Sequence, residues 1–221
     1  MNEYLFQLIR EGEHQRQDFK FCINDSRKIA KSLVAFANTD GGRLLIGVKD
    51  NGTIAGVRSD EEYYMIEAAA KLYSRPAIQF STEQYKVEGK TVLEVNIEPS
   101  QERPHFAKDP SGKWLAYLRV NDQNILANRI ILEVWKHRKS HQGVSIFFSK
   151  EEKILLDFLE KHKTISLSKF TKLARISYRK AERILINFIL IGVLEYVATE
   201  KQITYSLNEE FDRDELEAQF G

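Results

Sequence analysis

The chain has 221 residues, of which 43% are hydrophobic and 29% charged, and its net charge is +1. This balance is typical of a globular protein with a buried core, and it excludes a chain that binds nucleic acid through its overall charge alone. The single cysteine, Cys22, excludes an intrachain disulfide and a cysteine-based zinc site, and since no apolar run has the length of a membrane span, we expect a cytoplasmic protein.

The first part of the chain mixes helical and strand patterns. In chain order, apolar periodicity and turn residues predict a helix at 2–10, a strand at 15–21, a helix from the N-cap candidates Asn24, Asp25 and Ser26 to Asn38, strands at 43–48 and 53–57, a helix at 61–73, strands at 78–87, 91–97 and 114–120, and a helix at 125–137. Residues 1–140 are therefore predicted to form one mixed α/β domain, and the polar segment 139–144 is predicted to be a linker.

The second part has a simpler order of elements. Ser149 caps a predicted helix, a second follows at 167–174, and Ser177 caps a third that runs to Ile191; strands at 193–198 and 202–207 follow. Three helices and a hairpin in this order predict a winged helix-turn-helix domain over 145–208. Its net charge over 149–208 is +4, whereas the predicted acidic tail, 209–221, has a net charge of −5.

A long ordered motif lies in the first domain. It consists of Asp18-Phe19-Lys20, Ala35-Phe36-Ala37-Asn38-Thr39-Asp40-Gly41-Gly42 and Gly47-Val48-Lys49-Asp50-Asn51-Gly52, followed later by Pro104-His105, Gly112 and Tyr117-Leu118-Arg119. Over roughly residues 11–128, this pattern resembles the AlbA-type DNA-binding domain of the Schlafen family, once labelled a divergent AAA domain. The predicted fold class is therefore α+β, a Schlafen AlbA-like domain followed by a small winged-helix domain. No Walker-type phosphate loop occurs, so an ATP site is not expected.

The resemblance also implies a candidate metal site. Schlafen endoribonucleases use three carboxylates, and the matching positions here are Glu13, Asp18 and Asp50, which would hold Mg²⁺ or Mn²⁺. Asp18 is one methylene shorter than the family's glutamate. The alternative interpretation is that Asp18 pairs with Lys20 and that Asp50 caps a turn.

The candidate nucleic-acid contacts of the first domain lie on the motif itself: Lys20, Asn38, Thr39, Tyr117 and Arg119. Asn38 and Thr39 would either donate to a phosphate or cap a helix end. Tyr117 and Arg119 alternate onto one face of a strand, where they would either meet nucleic acid or stack on each other.

The candidate contacts of the second domain are Arg179, Lys180 and Arg183, in the first half of its third helix. This is the position of a recognition helix, although the same charges also suit an ordinary solvated face. The second half, 184–191, is apolar nearly all round, and we therefore expect a homodimer.

The favoured function is a DNA-binding transcriptional regulator, with duplex DNA as the preferred partner and RNA as an alternative. Two other hypotheses remain open from the sequence: a metal-dependent nuclease, and an interaction module that dimerises without touching DNA. Convergence of the three carboxylates would favour the nuclease, and a buried Arg179 and Arg183 would favour the interaction module.

Overall fold

A computed structural model describes residues 2–57, 59, 61–140 and 148–212. The chain divides into two compact units, Met1–Ala127 and Asn128–Gly221. The predicted α+β fold class is confirmed by the helices and sheets of these units. In the described part of the chain, no helix is both long and apolar enough to cross a bilayer.

The first unit combines three helices with strands of several small sheets. Its elements are α1 (Asn2–Glu11), β1 (Gln17–Lys20), α2 (Ser26–Asn38), β2 (Gly42–Ile46), α3 (Glu61–Lys71), β3 (Ser74–Arg75), β4 (Ser81–Val87), β5 (Lys90–Ile97), β6 (Phe106–Lys108), β7 (Trp114–Leu115), β8 (Tyr117–Val120) and β9 (Gln123–Leu126).

The main sheet of the first unit is covered by helices on both faces. Its order is β1-β2-β5-β4, with β1 parallel to β2 and the other pairs antiparallel. Side chains alternate along β2, so Leu44 and Ile46 pack with α2 and α3, whereas Leu45 packs with α1. Asp25 caps α2 by accepting from the Arg27 N–H at 2.9 Å.

Three predicted elements of the first unit differ from the structure. The strand expected at 114–120 is interrupted at Ala116, so β7 joins the sheet β3-β6-β7 and β8 pairs with β9. The helix expected to begin at Ile125 starts at Arg129, because Gln123–Leu126 forms β9. The strand expected at 53–57 is reduced to an isolated bridge between Val48 and Ile54.

A close backbone contact at Gly47 explains why the strand expected at 53–57 is reduced to a bridge. Gly47 has a φ of +92°, and a Cβ added there would lie 2.8 Å from the carbonyl carbon of Gly56 and from the Val57 nitrogen. The chain after β2 therefore folds back onto Gly47 through hydrogen bonds from Ala55 and Gly56 to its carbonyl, and it does not continue as a regular hairpin.

The second unit contains α4 (Arg129–Ser140), α5 (Lys150–Lys161), α6 (Leu167–Ala174), α7 (Tyr178–Leu190), β10 (Leu194–Ala198) and β11 (Ile203–Leu207). From α5 onward this is the order of elements that the sequence predicts. The two strands form an antiparallel hairpin, and a bridge from Ile165 to Tyr205 attaches the segment before α6 to it.

The second unit begins earlier than expected. The sequence analysis assigned α4 to the first domain, but Ile130 and Val134 pack in the same core as Leu155, Leu185 and Phe188. The boundary therefore lies between Ala127 and Asn128, and α4 is part of the second unit. Most of the predicted linker (139–144) and most of the predicted acidic tail lie outside the described residues.

Candidate nucleic-acid interface

Asp18 lies in the interior of the first unit, on β1. It is only 4% exposed, and its carboxylate contacts Lys20 Nζ at 2.7 Å, a guanidinium nitrogen of Arg119 at 3.5 Å and the Ser32 hydroxyl at 3.4 Å. A buried carboxylate needs such cations and donors, because burial without them costs several kcal/mol. The expected pairing of Asp18 with Lys20 is therefore present in the structure.

Arg119 completes this buried network from β8. Its side chain is 1% exposed, and it donates to the carbonyls of His14 at 3.3 Å and Gln17 at 3.0 Å and to Asn124 Oδ1 at 3.2 Å. Its guanidinium lies 5.1 Å from the centroid of the Phe36 ring. In this position Arg119 joins β8 to β1 and presents no charge to a nucleic acid.

Glu13 and Asp18 share a hydrogen bond and ionise very differently. Burial, followed by the bond with Asp18, raises the pKa of Glu13 above its ordinary value. Burial alone would raise the pKa of Asp18 too, but the hydrogen bond from Glu13 and the charges of Lys20 and Arg119 hold it below its ordinary value. The two shifts run in opposite directions, so when the pair holds one proton it lies on Glu13 and not on Asp18.

These carboxylates do not fit a metal ion. Glu13 already accepts from the Phe19 N–H at 2.8 Å, Asp18 is held by two cations, and Asp50 is exposed after β2. Within the part of the chain that the structure describes, no three histidine, cysteine, aspartate or glutamate side chains are grouped so as to hold a metal. The resemblance implied a Mg²⁺ or Mn²⁺ site that this donor set does not form.

Asn38 is also committed to the interior. It is fully buried at the end of α2, donates to the carbonyls of His105 at 2.9 Å and Tyr117 at 3.0 Å, and accepts from the His105 N–H at 2.8 Å. Its amide thereby ties α2 to two later segments, and this geometry leaves no donor for a phosphate. Thr39 bonds back to the Ala35 carbonyl at 2.5 Å, which matches the alternative in which it serves the helix end.

Lys20 and Tyr117, like Thr39, remain partly accessible among the predicted contacts of the first unit. Lys20 is half-buried against Asp18, with its stem at the edge of β1. Tyr117 is half-buried beneath Lys31, whose ammonium lies 4.9 Å from the ring centroid. Burial raises the pKa of Tyr117, and the nearby Asp109 charge adds to that rise. The predicted Tyr117–Arg119 face is therefore absent, because Leu118 and Arg119 are both buried.

The predicted contacts in the second unit have the opposite environment. Arg179 and Arg183 are exposed at the start of α7, and within the described residues neither makes an ion pair or a hydrogen bond. Lys180 differs, because its ammonium lies 2.6 Å from Glu151 on α5. That contact, and then the bond from Ser149, lowers the pKa of Glu151 to about 2.

A cleft of about 510 Å³ lies beside these arginines, between α4 and α7. It is lined by Arg129, Glu133, His137, Ser177, Arg179, Lys180, Glu182, Arg183, Ile186 and Asn187. Arg129 pairs with Glu182 at 3.4 Å across the cleft. Arg129, Glu133 and His137 of α4 recur every fourth position, a pattern that the sequence already shows. Because the sequence predicts α4 as part of the first domain, it does not predict that these residues lie beside α7.

The apolar half of α7 packs largely within the second unit, although Ile186, Leu190 and Ile191 stay half-buried. Ile184, Leu185, Phe188 and Ile189 are buried, and Ile130 and Val134 of α4 belong to the same core. The helix before the predicted domain thus covers part of the apolar surface from which a homodimer is predicted, and the homodimer stays a prediction.

Comparison with known proteins gives the family of the first unit. The family model for Schlafen, AlbA_2 matches residues 13–128. No curated protein matches the chain. Among solved structures, the DIP2311 protein from Corynebacterium diphtheriae is 23% identical with a TM-score of 0.42, and the match covers 59% of this chain but only 28% of that protein. The N-terminal domain of a putative ATP-dependent DNA helicase RecG-related protein from Nitrosomonas europaea is also 23% identical, with a TM-score of 0.40; the match covers 56% of this chain and 94% of that domain. Because the matched segment is more than half of the chain, this protein belongs to the Schlafen, AlbA_2 family.

Proposed function

We propose that the protein is a DNA-binding transcriptional regulator whose second unit is a winged helix that contacts duplex DNA through the start of α7. The observation that carries this proposal is the exposure of Arg179 and Arg183 without partners in the described part of the second unit. Membership in the Schlafen, AlbA_2 family supports a nucleic-acid-related role in general.

The local geometry of α6 and α7 supports a recognition role. Arg175 adopts a left-handed conformation after α6, and Ser177 then caps α7 by accepting from the Lys180 N–H at 3.3 Å. In a helix-turn-helix, the N-terminal residues of the second helix reach the base edges in the major groove. The hairpin β10–β11 would be the wing, with the exposed Lys201 near its tip.

The unpaired positive charges at the start of α7 favour DNA over an apolar protein partner as the ligand of this surface. Lys180 and Arg129 are neutralised by Glu151 and Glu182, whereas Arg179 and Arg183 keep uncompensated charges that displace counterions from phosphates. An interaction module that uses α7 only to dimerise would have to bury these unpaired arginines, and four apolar residues of the helix are already buried inside the unit, which leaves less apolar surface for a second copy. The nuclease hypothesis has no comparable support, because the carboxylates do not converge.

The test is duplex binding by the full chain at two salt concentrations. Each of Arg179→Ala and Arg183→Ala is expected to cost about 1–3 kcal/mol if it contacts a base, or to reduce the slope of log K against log salt by about 1 if it contacts a phosphate. Lys163→Ala is the matched control, because Lys163 is an exposed cation in the loop before α6. Equal affinities for all four proteins would refute the proposal, and so would an affinity that does not change with salt.

A further inference from the structure

The small sheet β3-β6-β7 of the first unit carries aromatic and basic side chains on one face. In the register of the strands, Ser74 pairs with Ala107, and Ala107 pairs with Leu115. Ser74 and Ala107 are buried, so their side chains mark the inner face of the sheet. Residues one position away point outward, because side chains alternate along a strand. We call the outward set, Tyr73, Arg75, Phe106, Lys108 and Trp114, the aromatic–basic face.

One row of this face runs across all three strands. Lys108 pairs with Trp114 in the register, and the Lys108 N–H donates to the Tyr73 carbonyl at 2.9 Å, which places Tyr73 opposite it on the other side. Side chains directly opposite each other in adjacent strands lie on the same face. Tyr73, Lys108 and Trp114 therefore form a row in which a cation separates two aromatic rings by about 10 Å, twice the spacing of neighbouring strands.

Cations lie beside each ring of the row. Lys108 Nζ is 5.9 Å from the centroid of the Trp114 ring, and the Arg27 guanidinium, on α2, is 6.0 Å from that of Tyr73. Arg27 is partly neutralised by Asp25 at 3.3 Å. Lys108 makes no ion pair within the described residues, although Asp109 follows it in the chain. One turn further along α2, Lys31 lies over Tyr117 in the same way.

Exposure distinguishes this arrangement from a core. Trp114 is 37% exposed, Arg75 is exposed, and Phe106 and Lys108 are half-buried. Tyr73 is half-buried as well and packs partly against the core of the first unit, so Trp114 is the more accessible of the two rings. A part-exposed indole beside a lysine without an ion pair offers an accessible ring face and a positive charge to a ligand. The described residues thus form a sheet face on which aromatic rings and positive charges alternate.

We infer that the aromatic–basic face binds single-stranded nucleic acid, with unpaired bases stacking on Trp114 and Tyr73 and phosphates meeting Lys108 and Arg75. Aromatic rings on a basic surface bind single strands irrespective of sequence, because every base has a π-face and every nucleotide a phosphate. A duplex does not fit this chemistry, since its bases are stacked on each other and its grooves are read by hydrogen-bonding side chains. The inference goes beyond the proposed function, because it concerns the other unit and a different ligand.

Fluorescence of the full chain can test the inference directly. The chain has two tryptophans, and Trp135 is buried in the second unit, so Trp135→Phe leaves Trp114 as the only indole. The same protein also carries Arg179→Ala and Arg183→Ala, which remove the proposed duplex contacts. Oligo(dT), oligo(U) and a duplex of equal length are then added at low salt. We expect saturable quenching of Trp114 by one or both single strands and none by the duplex; the two oligomers show whether DNA or RNA is preferred.

Variants without the α7 substitutions measure the contribution of each group by anisotropy of labelled oligomers. Trp114→Ala is expected to weaken single-strand binding about tenfold or more, and Trp114→Phe, which keeps a ring, to weaken it less. Lys108→Gln is expected to lower the salt slope by about 0.7. Phe6→Ala and Lys86→Gln are the matched controls, since both side chains are exposed in the first unit but not on this face.

Three results would overturn the inference. The first is the absence of quenching by any single strand. The second is single-strand binding that Trp114→Ala and Lys108→Gln leave unchanged. The third is single-strand binding that disappears with the α7 substitutions, because it would then run through the second unit. If the α7 substitutions abolish duplex binding but leave single-strand binding intact, that result bears only on the proposed function of the second unit.

Discussion

The first unit and the second unit use similar charged residues in opposite ways. In the first, Asp18 and Arg119 are buried and make internal hydrogen bonds and an ion pair with each other. In the second, Arg179 and Arg183 project from α7 without partners among the described residues. An arginine in a family motif and an arginine at the start of a helix therefore make different contributions, the former to the buried network of the fold and the latter to the charge of the exposed surface.

The largest expected effect tests whether the second unit depends on α4. The fragment 145–221 lacks Ile130 and Val134, whose burial contributes about 1.5–3 kcal/mol each. That loss approaches the whole stability of a small domain. We expect 128–221 to unfold cooperatively in urea, followed by circular dichroism, and 145–221 to show no cooperative transition.

A smaller change to α4 controls for truncation itself. Lys136→Ala, on the exposed side of α4, is expected to change the stability of 128–221 by less than about 0.5 kcal/mol. Equal urea midpoints for the two fragments would mean that α4 is dispensable and that the second unit begins where the sequence analysis placed it.

The next effect compares the two arginine classes directly. Arg119→Met removes the donors to His14 and Gln17 and leaves Asp18 with one cation fewer, so we expect a loss of about 3–5 kcal/mol in unfolding free energy. Arg183→Ala is expected to change it by less than about 0.5 kcal/mol. Urea unfolding followed by Trp114 fluorescence in the Trp135→Phe background reports Arg119→Met in the first unit, and Trp135 fluorescence in the Trp114→Phe background reports Arg183→Ala in the second.

Arg16→Met is the control for the first unit, because Arg16 is exposed on the segment before β1. If Arg119→Met and Arg16→Met proved equally mild, the buried network would contribute little to folding, and the contrast between the two units would fail.

The smallest effect concerns the pH dependence of the Glu13–Asp18 pair. Because the folded-state pKa of Glu13 is raised, its stabilising contribution is complete below its unfolded pKa and is lost as pH rises through the folded value. Glu13→Gln cannot ionise but keeps an acceptor for Phe19 and a donor for Asp18. We expect it to be more stable than wild type at pH 7, by less than about 1 kcal/mol given the partial exposure of Glu13.

Urea unfolding across pH checks the sign. The difference should vanish once the pH falls well below the unfolded pKa of Glu13, where Glu13 is protonated in both states. Asp18 has a lowered folded pKa, so its own contribution is present above its unfolded pKa and is lost as pH falls through the folded value. A variant less stable than wild type at pH 7 would mean that Glu13 is ionised beside Asp18.

The sequence predicts the positions of helices and strands more successfully than the burial and contacts of individual side chains. Apolar periodicity and capping residues place α2 and α5–α7 closely, since these signals are local. Strand alternation alone places Arg119 on an outer face, but the strand is interrupted at Ala116, where β7 pairs in one sheet and β8 in another, and alternation does not predict that change of partner. Asn38 gives no local indication that it bonds to His105, 67 positions away.

The aromatic–basic face illustrates the same limit. Trp114 is noticeable in the sequence, but Tyr73 and Lys108 become its neighbours only through the register of β3, β6 and β7. Strands of two or three residues are too short for periodicity to identify. A surface built from three such strands can therefore be found only once their pairing is known.

The hairpin between β6 and β7 has a practical consequence for labelling. Its tip, Pro110 to Gly112, is exposed, and a Cβ added at Gly112 would meet no atom within 4 Å. Exposed tips of small polar residues accept inserted segments well. A short peptide tag placed between Ser111 and Gly112 would sit two residues from Trp114, so a dye coupled to it would report on the adjacent sheet face while every strand residue keeps its native identity.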